Sequence, residues 1–487
     1  MNYLQPADRQ QLTLMNSLDD LVSENNIVRI IDLIIDQIVK SNPNKFIKQR
    51  HTEVGRPSYS PSILLKLYLY GYLNGISSSR KLEAETYRNI EVIWLLGELR
   101  PDHWTISNYR KEHGEQIKFI TREFRRFLKA KGYIKGKTLS IDGTKVKANA
   151  KRDMLTIAKI EKRLKSLNEK IEEYLQRMTE NDIVEDIEEE AGQLGGSEIN
   201  RALIEKLIAA EKKIEKLQRD KEFLEKSERK RVSPNDKEAR LMRTRDGKLP
   251  AYNVQMAVDQ ENKLIADSEV VTEENDQCQL ESMVESIEEE IGEKPKEIIT
   301  DKGYYNPSLI KKVESTDETE CYVAIPEKSR KEEDIKFTYD SEKDEYKCSE
   351  GKRLVLISKG KKRRKRVADV YRGIECAGCI MRDKCTKSKK GRIIHRYYDH
   401  QWMENYRKKM EGEVAREKIK KRKSIAEHPF GVIKYWMGKI PLLLRGKEKV
   451  TTEINIYTTV YNLRRLINIV RFDELVDEIK GYNWAIA

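Results

Sequence analysis

The chain has 487 residues, 38% hydrophobic and 36% charged, which is too long for one ordinary core and predicts two or three packed units. A formal net charge of +13 points to a polyanionic partner, because clustered Lys and Arg gain affinity by releasing counterions from a phosphate backbone. The longest apolar runs are broken by charge, as at Lys66 within Ile63 to Leu73, so no membrane span is expected; the start MNYLQPADRQ lacks a secretory pattern, which places the chain in the cytoplasm.

In chain order, NIVRIIDLIIDQIV (26–39) carries the stripe of an amphipathic helix, and Ser60-Pro61 offers a cap and a first helical position for the next, ending near Gly75. A further start lies at Ser77 to Ser79. Asp102 then precedes a long periodic segment in which Ile106, Tyr109, Ile117, Ile120, Phe124 and Phe127 share one helical side. Residues 1–130 therefore read as an all-helical domain. Its last helix opens with Thr105, Ser107, Asn108 and Arg110, which would present donors to DNA if these short helices form a helix-turn-helix; a solvated helix face is the alternative.

At KTLSIDGTKVKANA (137–150) the period becomes two, and a strand ends in Asp142-Gly143. The next strands are expected after residue 249, in PAYNVQMAVDQENKLIADSEVV, turning at Asp259 to Lys263. Between them, Ile157, Ile160, Leu164, Leu167, Ile171, Tyr174 and Met178, and later Ala210, Ile214, Leu217 and Leu224, step by helical intervals. With an acidic, glycine-containing link from Glu180 to Gly196, they predict an antiparallel helical hairpin rather than a dimeric coiled coil. After a helix near 275–291, a short strand, Glu297 to Thr300, again ends in an acid, Asp301, with Asn306-Pro307 opening a helix beyond. ECYVAIP (320–326) is one more buried strand. Residues 327–395 read as irregular and strongly charged, followed by basic helices over 400–437 and a last helix over 451–471.

Two strand-terminal aspartates and a glutamate on a late helix, Asp142, Asp301 and Glu427, are what metal-dependent phosphoryl transfer requires, since hard carboxylate oxygens suit Mg²⁺ or Mn²⁺. Each also has an ordinary reading: Asp-Gly is a common turn, and a glutamate on a basic helix is usually solvated. Four of the six cysteines cluster as Cys348 and Cys376-x2-Cys379-x5-Cys385, which favours structural zinc in a ribbon over a redox CxxC pair. Cys278 and Cys321 read as isolated, buried thiols.

SIDGTKVKANA, IITDKGYYN and RKSIAEHPFGVIKYWMG, in that order, resemble the bacterial insertion-sequence transposases of the "eleven-eighty-two" group, and RPSYSPSILLKLYLYGYLNGISSSRKLE with DHWTISNYRKEH is similar to the helical domain that precedes their core. The resemblance spans roughly residues 45–470. It implies a DDE transposase whose triad falls on Asp142, Asp301 and Glu427, with Mg²⁺ or Mn²⁺ as cofactor and double-stranded DNA, both element ends and target, as partner in a homodimer or larger complex. The lysine of a Tyr-Arg-Glu-Lys signature falls on Lys434, while Lys420 and Lys423 stand where tyrosine and arginine would be; Lys423 and Arg422 are the further phosphate-contact candidates. His428 reads as structural.

The implied fold is α+β and multidomain: helices over 1–130, an RNase H-like core over 131–152 and 231–326, a hairpin insertion over 153–230, a basic Cys-rich insertion over 327–395 and core C-terminal helices over 396–487. A DNA-binding repressor that has lost catalysis, or a domesticated nuclease of the same fold, is the alternative function.

Overall fold

The computed structural model describes residues 17–46, 58–190, 197–316, 318–326, 337–363, 366–376, 378–397, 400–436 and 442–485, and the side chains of 182–190, 197–200, 362, 363, 366, 400 and 434–436 are not among those described. The N-terminal region is helical, with α1 (Ile27–Ser41), α2 (Pro61–Leu73), α3 (Ser79–Arg88), α4 (Ile90–Leu96), α5 (His103–Glu112) and α6 (Gly114–Ala130). Asn26 caps α1 by accepting from the Val28 amide at 3.0 Å, and the stripe Val28, Ile31, Ile35 and Ile38 is buried. The charge that interrupts the apolar run of α2 is itself buried: Lys66 Nζ lies 2.6 Å from Asp32 and 2.7 Å from Asp36 of α1.

The long periodic segment expected after Asp102 is two helices. Asp102 caps α5 through the Thr105 amide at 2.7 Å, and the chain then breaks at His113-Gly114. A Cβ on Gly114 would stand 2.5 Å from Thr452 Oγ1, so glycine admits the close approach of a C-terminal helix.

β1 (Thr138–Lys147) opens the main sheet; the strand expected to end at Asp142-Gly143 runs on to Lys147, because its pairing with a later strand continues past the acid. It is followed by α7 (Ile157–Glu190) and α8 (Ser197–Lys226), an antiparallel pair whose small cluster of Leu155, Ile160, Leu224 and Val232 is separate from the main core. An isolated bridge between Leu155 and Val232 closes its base. The link expected from Glu180 is helical as far as Glu190, and 191–196 lie outside the described residues.

The sheet continues with β2 (Arg240–Thr244), β3 (Gly247–Asp259) and β4 (Ile265–Val271), then α9 (Leu280–Ile291), β5 (Glu297–Thr300), α10 (Pro307–Thr316) and β6 (Glu320–Val323). β1 pairs antiparallel with β3 and parallel with β5, and β5 pairs parallel with β6. The far edge of β3 takes β2 along Gly247–Ala251 and β4 along Asn253–Val258, both antiparallel. β2 was not expected; its RLMRT sequence shows no apolar alternation, yet it pairs with β3 across a tight Arg245-Asp246 turn.

Residues expected to be irregular instead form a second, antiparallel sheet: β7 (Phe337–Asp340), β8 (Glu345–Cys348), β9 (Arg353–Arg363) and β10 (Arg366–Gly373), then the short α11 (Arg382–Cys385) and β11 (Ile393–Tyr397). Its order is sequential, each strand beside the one before it, and its small core is Tyr346, Leu354 and Tyr371. Helices α12 (His400–Glu411), α13 (Glu413–Trp436), α14 (Lys447–Ile467) and α15 (Phe472–Lys480) complete the chain.

One hydrophobic cluster runs from α1 and α2 through α14 into the main sheet, so the N-terminal helices do not have a core of their own. α14 is buried along most of its length and packs against α2, α6 and β4. At the junction, the buried Arg125 of α6 lies 2.6 Å from Glu290 and 3.3 Å from Asp267.

Candidate active site

The parallel pairing of β1 with β5 ends at Ile141 opposite Thr300, so the next residues along the two chain segments, Asp142 and Asp301, stand side by side where that pairing stops. Adjacent strands lie about 4.8 Å apart, which puts the two carboxylates within reach of a shared ligand. Each is tied to the backbone beyond it: Asp142 Oδ1 accepts from the Gly143 amide at 2.9 Å, and Asp301 Oδ1 from the Gly303 amide at 2.7 Å.

α13 crosses this face of the sheet, with Ala415 and Ile419 against Ile299 and Tyr322, and Lys418 Nζ 2.6 Å from Glu297. One turn on, Arg422 Nη1 lies 3.3 Å from Asp142 Oδ2. That atom meets no hydrogen-bonding angle, so the contact is one of charge pairing. Burial raises the Asp142 pKa above the ordinary carboxylate value; Arg422 opposes the shift and the neighbouring Asp301 charge adds to it.

No contact between Glu427 and this pair is found among the described residues. Its side chain is exposed and has no ion pair or hydrogen bond among the described residues. Five residues past Arg422, it is rotated by roughly 140° and advanced by about 7.5 Å along the helix. Lys423 is also exposed. Lys434 lies on the last turns of α13, but its side chain is outside the described residues. His428 Nδ1 lies 2.9 Å from the Tyr461 hydroxyl of α14, in keeping with a structural role.

A different acid faces the two glycines that follow the pair, Gly143 and Gly303. Asp276, in the short turn Asp276–Cys278 after β4, accepts from Asn253 Nδ2 at 2.6 Å and Gln255 Nε2 at 2.8 Å, and pairs with Lys145 Nζ at 3.1 Å. The buried hydroxyl of Tyr304, hydrogen-bonded to Gln255 Oε1, is held well above its usual pKa, first by burial and then by the charges of Asp276, Asp142 and Asp301. Asp276 is hard to single out from the sequence because EENDQCQ has neither strand nor helix periodicity; its one signal is an acid beside Asn275, whose side chain caps the turn.

The four clustered cysteines converge. Cys348 ends β8 in a tight turn in which its carbonyl accepts from the Gly351 amide at 2.9 Å, and Cys376, Cys379 and Cys385 follow β10. All four line one cavity of about 20 Å³, beside Phe337 and Leu354. Burial raises the Cys385 thiol pKa, Arg392 opposes the shift and the other three sulfurs add to it. A Cβ on Gly373 would overlap Cys376 Sγ, so glycine makes room for that thiol. Cys321 is buried as expected, but Cys278 is exposed. Among the described residues, no three or more His, Cys, Asp or Glu side chains stand in a ready-made ligating arrangement.

Of the expected DNA-contact residues on α5, Thr105, Ser107 and Asn108 are half-buried. Arg110 is a correction: it is 3% exposed, donating to the Tyr72 hydroxyl at 2.8 Å and the Ser77 carbonyl at 2.9 Å, with Glu453 of α14 at 3.7 Å. Its charge serves the core. A cavity of about 720 Å³ opens between Tyr305, Ile325, Met403, Met410 and Ile419, with Arg407, Arg416 and Lys420 in its lining.

A mixed α/β chain with a helical N-terminus, carrying adjacent aspartates just past the end of a parallel strand pairing and under a basic helix, has the make-up of a nucleic-acid phosphoryl-transfer enzyme. Residues 16–112 match the family model described as Transposase domain (DUF772), and residues 347–467 match the one described as Transposase DDE domain. Both matches support an insertion-sequence transposase of the DDE class. No curated protein and no solved structure matches it. No helix among the described residues is long and apolar enough to cross a membrane.

Proposed function

We propose that the protein binds the ends of an insertion sequence and carries out divalent-metal-dependent DNA cleavage and strand transfer at a site anchored by Asp142 and Asp301. The observation that carries this reading is the register of β1 against β5, which sets the two acids side by side at the carboxyl edge of a central parallel pair. The sheet order, with antiparallel β4 and β3 on one side of β1 and parallel β5 and β6 on the other, supports an RNase H-like core. The hairpin α7–α8 and the second sheet are then insertions in that core.

The donor set suits the cofactor. Two adjacent hard carboxylates, one with its pKa raised by burial and its neighbour's charge, gain from a shared Mg²⁺ or Mn²⁺. When bound, a pair of such ions supplies activation of the attacking water or 3′-hydroxyl and stabilisation of the leaving oxygen. The chain's own residues hold the geometry. Gly143 and Gly303 amides orient the two carboxylates, and Arg422 offsets their charge in the free protein. Once the acids are occupied, the Arg422 guanidinium is placed to meet a phosphate. Glu427 enters as the third acid on the resemblance alone; its exposed carboxylate is open to a site completed by DNA. Lys423 and Lys434 are read as phosphate-positioning residues on the same helix, and Thr105, Ser107 and Asn108 as donors to the end DNA. The four cysteines hold a structural zinc, supported by their shared cavity. Pairing two element ends calls for a homodimer or larger complex.

The test separates binding from chemistry. Asp142→Ala, Asp301→Ala and Glu427→Gln should each abolish strand cleavage of terminal-repeat DNA with Mg²⁺ while gel-shift binding stays near the wild-type level. Undiminished cleavage by Asp142→Ala or Asp301→Ala would reject the site. The alternative of a repressor predicts binding without any cleavage by the unaltered protein.

A further inference from the structure

Both acids of the pair sit next to or near a glycine, in Asp142-Gly143 and Asp301-Lys302-Gly303, and both glycines face the same third carboxylate. A Cβ on Gly143 would stand 2.9 Å from Asp276 Oδ1, and a Cβ on Gly303 would stand 3.6 Å from Asp276 Oδ2. One oxygen of Asp276 is thus turned toward the segment carrying Asp142, and the other toward the segment carrying Asp301. A side chain at Gly143 would crowd Gln255, Asp276 and Asn253.

The surroundings of Asp276 point to a missing ligand. Asn253 is fully buried and donates to Asp276 through Nδ2, yet its own Oδ1 has no partner. That orphaned acceptor lies 3.0 Å from the place a Cβ on Gly143 would occupy, so it faces the same gap. A buried amide oxygen without a donor is costly unless water or an ion's hydration shell supplies one. Lys145, at 3.1 Å from Asp276, is the positive charge now held there. An ion pair serving only to pin the turn to β1 would explain Lys145, but neither the two cleared glycines nor the open acceptor.

We propose that Asp276 is a third carboxylate of the divalent-cation site, acting with Asp142 and Asp301, and that Lys145 is its counter-ion until a cation enters. This rests on the reading of Asp142 and Asp301 as cation ligands. It assigns the DNA-free protein a three-aspartate site in which Glu427 takes no part.

The experiment is titration of the full chain with Mn²⁺ in the absence of DNA, following free Mn²⁺ by electron paramagnetic resonance. Asp276→Asn should weaken Mn²⁺ at least tenfold, as should Asp301→Asn, while Glu427→Gln leaves it unchanged. Lys145→Ala, which spares the carboxylate, should tighten Mn²⁺ several-fold by removing a competitor. Asp276→Cys should shift preference from Mn²⁺ toward Cd²⁺, because thiolate selects softer ions and a merely structural residue would not move that preference. Wild-type Mn²⁺ affinity in Asp276→Asn, with Asp301→Asn impaired, would overturn the assignment of Asp276 alone. Should Asp276→Asn not fold, unchanged affinity in Lys145→Ala would overturn it instead. Unaltered affinity in both Asp142→Asn and Asp301→Asn would instead overturn the underlying reading of the pair.

Discussion

Gly143 shows how single residues set this site. It lies in a paired strand, where glycine is otherwise unfavourable, and a Cβ there would come within 2.6 Å of Gln255 Nε2 and 2.9 Å of Asp276 Oδ1. Gly143→Ala should therefore cost about 1–3 kcal/mol in chemical denaturation through overpacking and should also reduce cleavage. A variant with wild-type stability and activity would show that the gap has slack. Asp267 is a second case. Burial pushes its carboxyl up to about 6, with Arg125 opposing the shift and Glu290 adding to it. A pKa raised above the unfolded value means that the neutral form is favoured in the fold, so the stability it contributes is present below about 4 and is lost as pH rises through about 6. Denaturant midpoints should thus fall for the wild type, relative to Asp267→Asn, between pH 4 and 6; parallel profiles would contradict this. The sequence made Asp142 and Asp301 visible because alternating apolar residues lead into an acid and a glycine. It did not reveal the burial of Arg110, because the partners that neutralise it, Tyr72 and Glu453, are far away in the chain.

At the scale of elements, periodicity was a good guide wherever one face packs on a large core. α1, the α7–α8 hairpin, β3, β4 and β5 all fall where the apolar spacing puts them. The second sheet was hidden because its strands, FTYD, EYKC and the lysine-rich β9, bury few side chains, and their alternation is masked by charge. Its core is small, built on Tyr346, Leu354 and Tyr371 with Ala368 and Val370 also buried, and sheets of this size commonly need a further staple. A zinc ion at Cys348, Cys376, Cys379 and Cys385 would supply what is missing. Metal analysis should find one zinc per chain, lost on Cys379→Ser together with protease resistance of 337–397. Retention of full protease resistance by a zinc-free protein would show that the strands need no staple.

Across the whole molecule, α14 decides the architecture. The chain was expected to divide into packed units, but this late helix runs through one continuous core shared by the N-terminal helices and the sheet. Nothing local in its sequence announces that role; polar groups that it buries, Glu453, Thr458 and Asn462 among them, find partners across the tertiary fold. Thr458 receives a hydrogen bond from Arg125 of α6, and Asn462 bonds the backbone of Ile265 in β4. A core shared by the helical region and the acid-bearing sheet suits the proposed role, in which DNA is held in register with the chemistry. The alternative of a nuclease of the same fold also cuts DNA, so cutting alone does not separate the two. The most direct measurement is joining: a labelled, pre-cleaved element end with a free 3′-hydroxyl is incubated with the purified protein, Mg²⁺ and a supercoiled plasmid. A covalently joined, labelled plasmid, absent with Asp301→Asn, is the expected result. Joined product formed equally by Asp301→Asn, or nicked plasmid with no joining by the unaltered protein, would contradict it.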